Sequence, residues 1–109
     1  MYKYDLLINK LEPYCKVERK NLYTVERVID TTFDKIKYAL LEIGDILEED
    51  NLQQTFVAII KAGFANMNPA IVGVNVEKSK VYIVSYAKEG LINQNTAEKA
   101  VQKFLNCLN

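Results

Sequence analysis

Between Ile71 and Tyr86 the chain reads IVGVNVEKSKVYIVSY, a stretch in which β-branched and aromatic residues alternate on both sides of a polar turn. That pattern predicts a β-hairpin. With Glu77-Lys78-Ser79-Lys80 as its loop, Val76 stands opposite Val81, Val74 opposite Ile83 and Val72 opposite Ser85, and this face is apolar. The opposite face carries Glu77 beside Lys80, Asn75 beside Tyr82, Gly73 beside Val84 and Ile71 beside Tyr86, a mixed and half-wet surface. Two strands alone are marginal in water, so helices from the rest of the chain are expected to cover the apolar face.

Four further stretches follow helical spacing. Tyr4, Leu7, Ile8 and Leu11 define a short N-terminal helix ending near Glu12, because Pro13 disfavours helical geometry in the residue before it. Residues 14–21 admit either a helical turn opened by Pro13 or an extended segment. From Leu22 to Ile46 the apolar positions Leu22, Val25, Ile29, Thr32, Ile36, Ala39, Ile43 and Ile46 step by three and four, a heptad seam widened by Val28, Phe33, Leu40 and Leu47. A helix over this stretch would be roughly 40 Å long at 1.5 Å per residue, against a radius of gyration of about 13 Å for a compact domain of this length. It must therefore bend near Gly44 or overhang its own domain and meet a second copy. Leu52, Phe56, Ile59, Ile60, Gly63, Phe64 and Met67 predict another helix, stopped by Asn66-Met67-Asn68-Pro69. After Tyr86, Gly90 supplies a turn and Leu91 and Ile92 are expected to anchor the loop on the core. Asn95-Thr96-Ala97-Glu98 then resembles a capping box for a last helix. Its apolar face holds Ala97, Ala100, Val101, Phe104, Leu105 and Leu108.

The expected fold class is therefore α+β, one small domain over residues 1–109. Its helices pack on one face of a two-stranded antiparallel hairpin, in the order α-α-α-β-β-α.

Composition narrows the function. The 109 residues are half apolar and carry no net charge, so no global field draws the chain onto nucleic acid or an anionic membrane. No apolar run reaches the roughly 20 residues of a membrane span, and MYKYDLLINKLEP is too charged for a signal peptide, which points to the cytoplasm. Histidine is absent, and with it Ser-His and Cys-His nucleophiles and imidazole metal ligands. Neither glycine-rich phosphate motif occurs. Cys15 and Cys107 have no zinc or disulfide spacing. No cofactor or metal is expected, and no catalysis.

Four local patterns remain. Glu42, Asp45 and Glu49 share a face of the predicted long helix and offer a hard cation three carboxylates, although a solvated acidic face explains them as well. Charge is striped: residues 28–50 hold Lys35 and Lys37 against seven acids, whereas Lys16, Arg19, Lys20 and Arg27 lie before them and could meet the acidic end of a neighbouring molecule. Tyr82 and Tyr86, with Lys80 and Lys88 nearby, resemble a surface that stacks single-stranded bases, but the glycine of the usual strand motif is missing. Ser79 and Ser85 neighbour Lys80 and Lys88 in sequence without implying a dyad, and Lys16 and Arg19 could lower the pKa of Cys15. The expectation is a non-catalytic protein-interaction module that self-associates through the heptad-patterned helix 22–47. Its contact residues are Leu22, Ile29, Ile36 and Ile43, with Tyr82 and Tyr86 on the hairpin, and its partner is protein. The competing expectation is a weak single-stranded nucleic-acid binder using the Tyr and Lys face.

Overall fold

In a computed structural model that describes residues 2–108, the hairpin forms in the expected register and becomes the middle of a larger sheet. Strand β4 (Asn68–Glu77) and strand β5 (Lys80–Tyr86) pair antiparallel with Val76 opposite Val81, Val74 opposite Ile83 and Val72 opposite Ser85. Lys78 and Ser79 make the turn, with Ser79 in the left-handed region at φ 64°.

The two-stranded architecture is corrected to a five-stranded antiparallel sheet in the order β1-β5-β4-β3-β2. Strand β1 (Leu22–Arg27) pairs with β5, β2 (Gly44–Asp50) with β3, and β3 (Thr55–Ala62) with β4. Helices cover both faces rather than one. Helix α1 (Tyr2–Leu11) lies on one side, where Leu7, Ile8 and Leu11 pack with Val57, Ile71, Val84 and Tyr86. Helices α2 (Phe33–Ile43) and α3 (Thr96–Cys107) lie on the other, over Phe56, Ala58, Ile60, Val72, Val74, Val81 and Ile83.

The long helix predicted over 22–47 does not form; its sequence makes β1, a loop, α2 and β2 in turn. Leu22 to Arg27 alternates as a strand, and Thr32 then starts a helix by accepting the Lys35 N–H on its hydroxyl at 3.2 Å. Gly44 ends that helix and begins β2 with no loop between them. A Cβ there would stand 2.2 Å from the carbonyl oxygen of Ile59, so only glycine allows the chain to enter the sheet at this point. The seam still has a physical basis: Val25, Ile29, Ile36, Ala39, Ile43 and Ile46 all reach one core, from four different segments. Residues 14–21 are irregular apart from a 3₁₀ turn at Arg19–Asn21.

The helix predicted over 52–67 is likewise corrected to strand β3. Between two helical layers both faces of β3 are buried, so Phe56-Val57-Ala58-Ile59-Ile60 is a continuous apolar run with no alternation to reveal it.

Helix α3 lies where expected, with Phe104 fully buried against the α2 side of the sheet and Leu105 half-buried beside it. Its cap is corrected. Asn95 makes no side-chain cap and sits at φ 53°; Glu89 accepts the N–H of Thr96 at 2.9 Å and that of Gln94 at 3.1 Å.

Truncation of Phe104 to alanine is expected to cost about 3–5 kcal/mol, a large part of the roughly 5–15 kcal/mol that holds a domain of this kind. Lys103, which donates to the Lys61 carbonyl at 3.0 Å, should lose no more than about 1 kcal/mol as alanine. Urea denaturation of both variants checks the placement, and equal losses would mean that α3 packs on another face.

Candidate interaction surface

At the end of the sheet where β3 and β5 finish and β4 begins, two adjoining loops carry four exposed large apolar side chains. Phe64 and Met67, between β3 and β4, are 80% and 75% exposed; Leu91 and Ile92, between β5 and α3, are 107% and 78% exposed. Large apolar side chains left in water together mark a contact surface more often than chance placement.

The two loops are built as one unit. The side-chain carbonyl of Gln94 accepts the Phe64 N–H at 2.8 Å, and Asn68 donates to the Thr96 hydroxyl at 2.8 Å and the Lys88 carbonyl at 3.4 Å. Gly63 turns the chain at φ 72°, and a Cβ on it would meet the Gln94 carbonyl at 2.7 Å and the Thr96 hydroxyl at 2.8 Å. Ala65 and Asn66 follow at φ 56° and 54°, a left-handed pair that costs roughly 1–2 kcal/mol per residue and is held by those cross-loop bonds. Between the loops lies a shallow hollow of about 310 Å³ lined by Phe64, Met67, Asn68, Lys88, Gly90 and Gln94. Burial pushes the Glu89 carboxyl up, but the N–H groups of Thr96 and Gln94 outweigh it and hold the group below its usual 4.5.

The residues singled out from the sequence are dispersed. Ile36 is fully buried, and Ile29 and Ile43 are half-buried against the same core. Leu22 is the first residue of β1, half-buried on the α1 side of the sheet. Tyr82 is half-buried and meets Tyr4 edge to face at 5.9 Å, while Tyr86 is only 5% exposed. The acidic stretch is compensated from within the chain: Lys10 reaches Glu48 at 3.2 Å and Asp50 at 3.1 Å, Tyr14 donates to Glu48 at 3.0 Å, and Lys37 pairs with Glu49 at 3.2 Å. Glu42 lies in the last turn of α2, whereas Asp45 and Glu49 stand opposite Ile59 and Phe56, which face different layers. Among the described residues, no three His, Cys, Asp or Glu side chains are grouped to hold a metal.

The serine and cysteine candidates are placed as plainly. Ser79 is in the turn, Ser85 is buried with no hydrogen-bond partner for its hydroxyl among the described residues, and Lys80 is paired with Glu26 at 2.9 Å. Burial, aided by Glu12, raises the Cys15 thiol, opposite to the lowering that Lys16 and Arg19 would have produced.

Phe64 and Met67 were expected on a buried helix face, and Leu91 and Ile92 as anchors on the core; all four point outward. The available signal was their company. Gly63, Asn66, Asn68 and Pro69 around the first pair, and Gly90 and Asn93 around the second, are turn formers, and large apolar residues among turn formers face water.

No protein-family model matches this chain, and neither a curated protein nor a solved structure does. No helix among the described residues is long and apolar enough to cross a membrane.

A carboxyl held lower in the folded than in the unfolded chain contributes stability that is complete above its unfolded value and is lost as pH falls through its folded value. Glu89 is such a group. Glu89→Gln should therefore cost about 0.5–2 kcal/mol at pH 7, the range for a lost helix cap, and the gap to the wild type should close as pH falls well below 4.5. Urea midpoints across pH 7 to 3 measure it; a gap that stays constant would show that the charge of Glu89 is irrelevant to its cap.

Proposed function

We propose that this chain is a non-catalytic protein-interaction module of the cytoplasm that associates with a second copy of itself through Phe64, Met67, Leu91 and Ile92. The observation that carries the reading is the exposure of these four side chains on two loops braced against each other. Fully burying one such side chain is worth about 1.5–3 kcal/mol, whereas association costs roughly 4–15 kcal/mol. One or two of them cannot hold a complex; four from each copy can. A two-fold contact between identical patches needs no complementary charge, and a chain of zero net charge does not repel its own copy. The seam residues Leu22, Ile29, Ile36 and Ile43 contribute to this reading only through the core, since they are buried or half-buried there. Base stacking on Tyr82 and Tyr86 draws no support from rings packed beneath α1.

Light scattering coupled to size exclusion is expected to give a dimer mass at high micromolar concentration. The double variant Phe64→Ser, Leu91→Ser should be monomeric, with a urea midpoint equal to that of the wild type at concentrations low enough to dissociate the dimer, because both side chains are in water in the single chain. A monomeric wild type at that concentration would end the proposal, as would a variant that still dimerises.

A further inference from the structure

A second hollow opens beside that patch, on the α1 side of the sheet. It measures about 420 Å³, within the usual range for small-molecule sites, and is lined by Tyr14, Cys15, Leu47, Ile59, Pro69, Ala70, Ile71, Tyr86, Ala87 and Lys88. Its origin is the mismatch between one ten-residue helix and a five-stranded sheet: α1 ends at Leu11 and leaves the ends of β3, β4 and β5 uncovered. Its wall is aliphatic and aromatic, and its polar groups are already engaged. The Tyr14 hydroxyl donates to Glu48, whose charge is met by Lys10. The Cys15 thiol lies 3.7 Å from the Leu11 carbonyl, to which it donates. One formal charge lines the hollow, the exposed Lys88 ammonium, and no ion pair among the described residues involves it.

From this combination we infer that the hollow is a binding site for an aliphatic carboxylate, its chain lying on Ile59, Ile71 and Leu47 and its head group on the Lys88 ammonium. The chemistry selects the ligand on two counts. An uncharged hydrocarbon would leave Lys88 without a counter-charge beside a dehydrated surface, and an alkyl cation would meet it as a like charge. A bilayer surface fits less well, because the hollow is concave and one lysine is far from the four to eight basic residues of an anionic-lipid site. The site shares Lys88 with the hollow between the two loops, but none of its apolar lining belongs to Phe64, Met67, Leu91 or Ile92, and its occupancy does not require a second copy.

Calorimetric titration with decanoate, kept below its aggregation concentration, tests the inference, with decanol and decylamine as the uncharged and cationic controls. Decanoate is expected to bind saturably with one site per chain, at least ten-fold more tightly than decylamine. Lys88→Glu, a change at an exposed position, should reverse that preference while leaving the melting temperature unaltered. Occupancy should also slow the reaction of Cys15 with a thiol reagent and leave Cys107, which lies at a different hollow, unaffected. The Phe64→Ser, Leu91→Ser variant should bind as the wild type does, which separates this site from the dimer contact. The inference is overturned by the absence of saturable binding, by equal affinity for the three head groups, or by equal protection of both cysteines.

Discussion

Everything in this molecule depends on the period of two in the β4–β5 hairpin. Residues 70–76 of β4 are buried on both sides, so consecutive side chains belong alternately to the α1 layer and to the α2–α3 layer. A slip of one residue would send Val72, Val74 and Ile83 to the face of α1 and bring Asn75 and Tyr82 against Phe104. The turn at Lys78-Ser79 and the ion pair across Glu26 and Lys80 fix the frame, and the neighbouring strands inherit it.

What was legible in the sequence was the part governed by a single unmixed period. Alternation gave the hairpin with its pairs, and the helical stripe gave α1 and α3 with their inward residues, because in each case one face meets the core. Where two faces are buried the period vanishes, and the apolar spacing of β3 therefore predicts a helix that does not form. The long seam failed for a different reason. Val25, Ile29, Ile36, Ala39, Ile43 and Ile46 do share a core, but strand, loop and helix each place one of them there, so the spacing of three and four arose from several geometries in succession. The implausible 40 Å length was the warning, and Asp30-Thr31-Thr32 marked the true helix start. The exposed loop residues were hidden because an apolar letter is read as core by default, although turn formers on either side decide otherwise.

The striping of charge, which suggested contact between molecules, is largely consumed within one. Lys10 on α1 holds Glu48 and Asp50 on the edge strand β2, while Lys3 is paired with Glu77 at the end of β4. The Gln53 N–H, and then Lys10, keep the Asp50 carboxyl below its ordinary value. These partly exposed pairs are individually weak, yet they orient α1, the one α-helix on that face among the described residues. The same acids, with the bulge between Ile46 and Glu48, give β2 an edge poorly suited to pairing with a further strand.

The strand order carries a consequence for a chain made from its N-terminus. Strands β2 to β5 follow one another as a meander and can pair as each one appears, but β1 pairs only with β5, and α1 rests on β3, β4 and β5. Residues 2–27 thus complete their contacts only once residue 86 has followed them. Contacts so distant in sequence are paid for in loop-closure entropy and form slowly. Until they form, the apolar strip of Leu7, Ile8 and Leu11 has nothing of its own to cover, and the nascent chain carries two unmatched halves of one core.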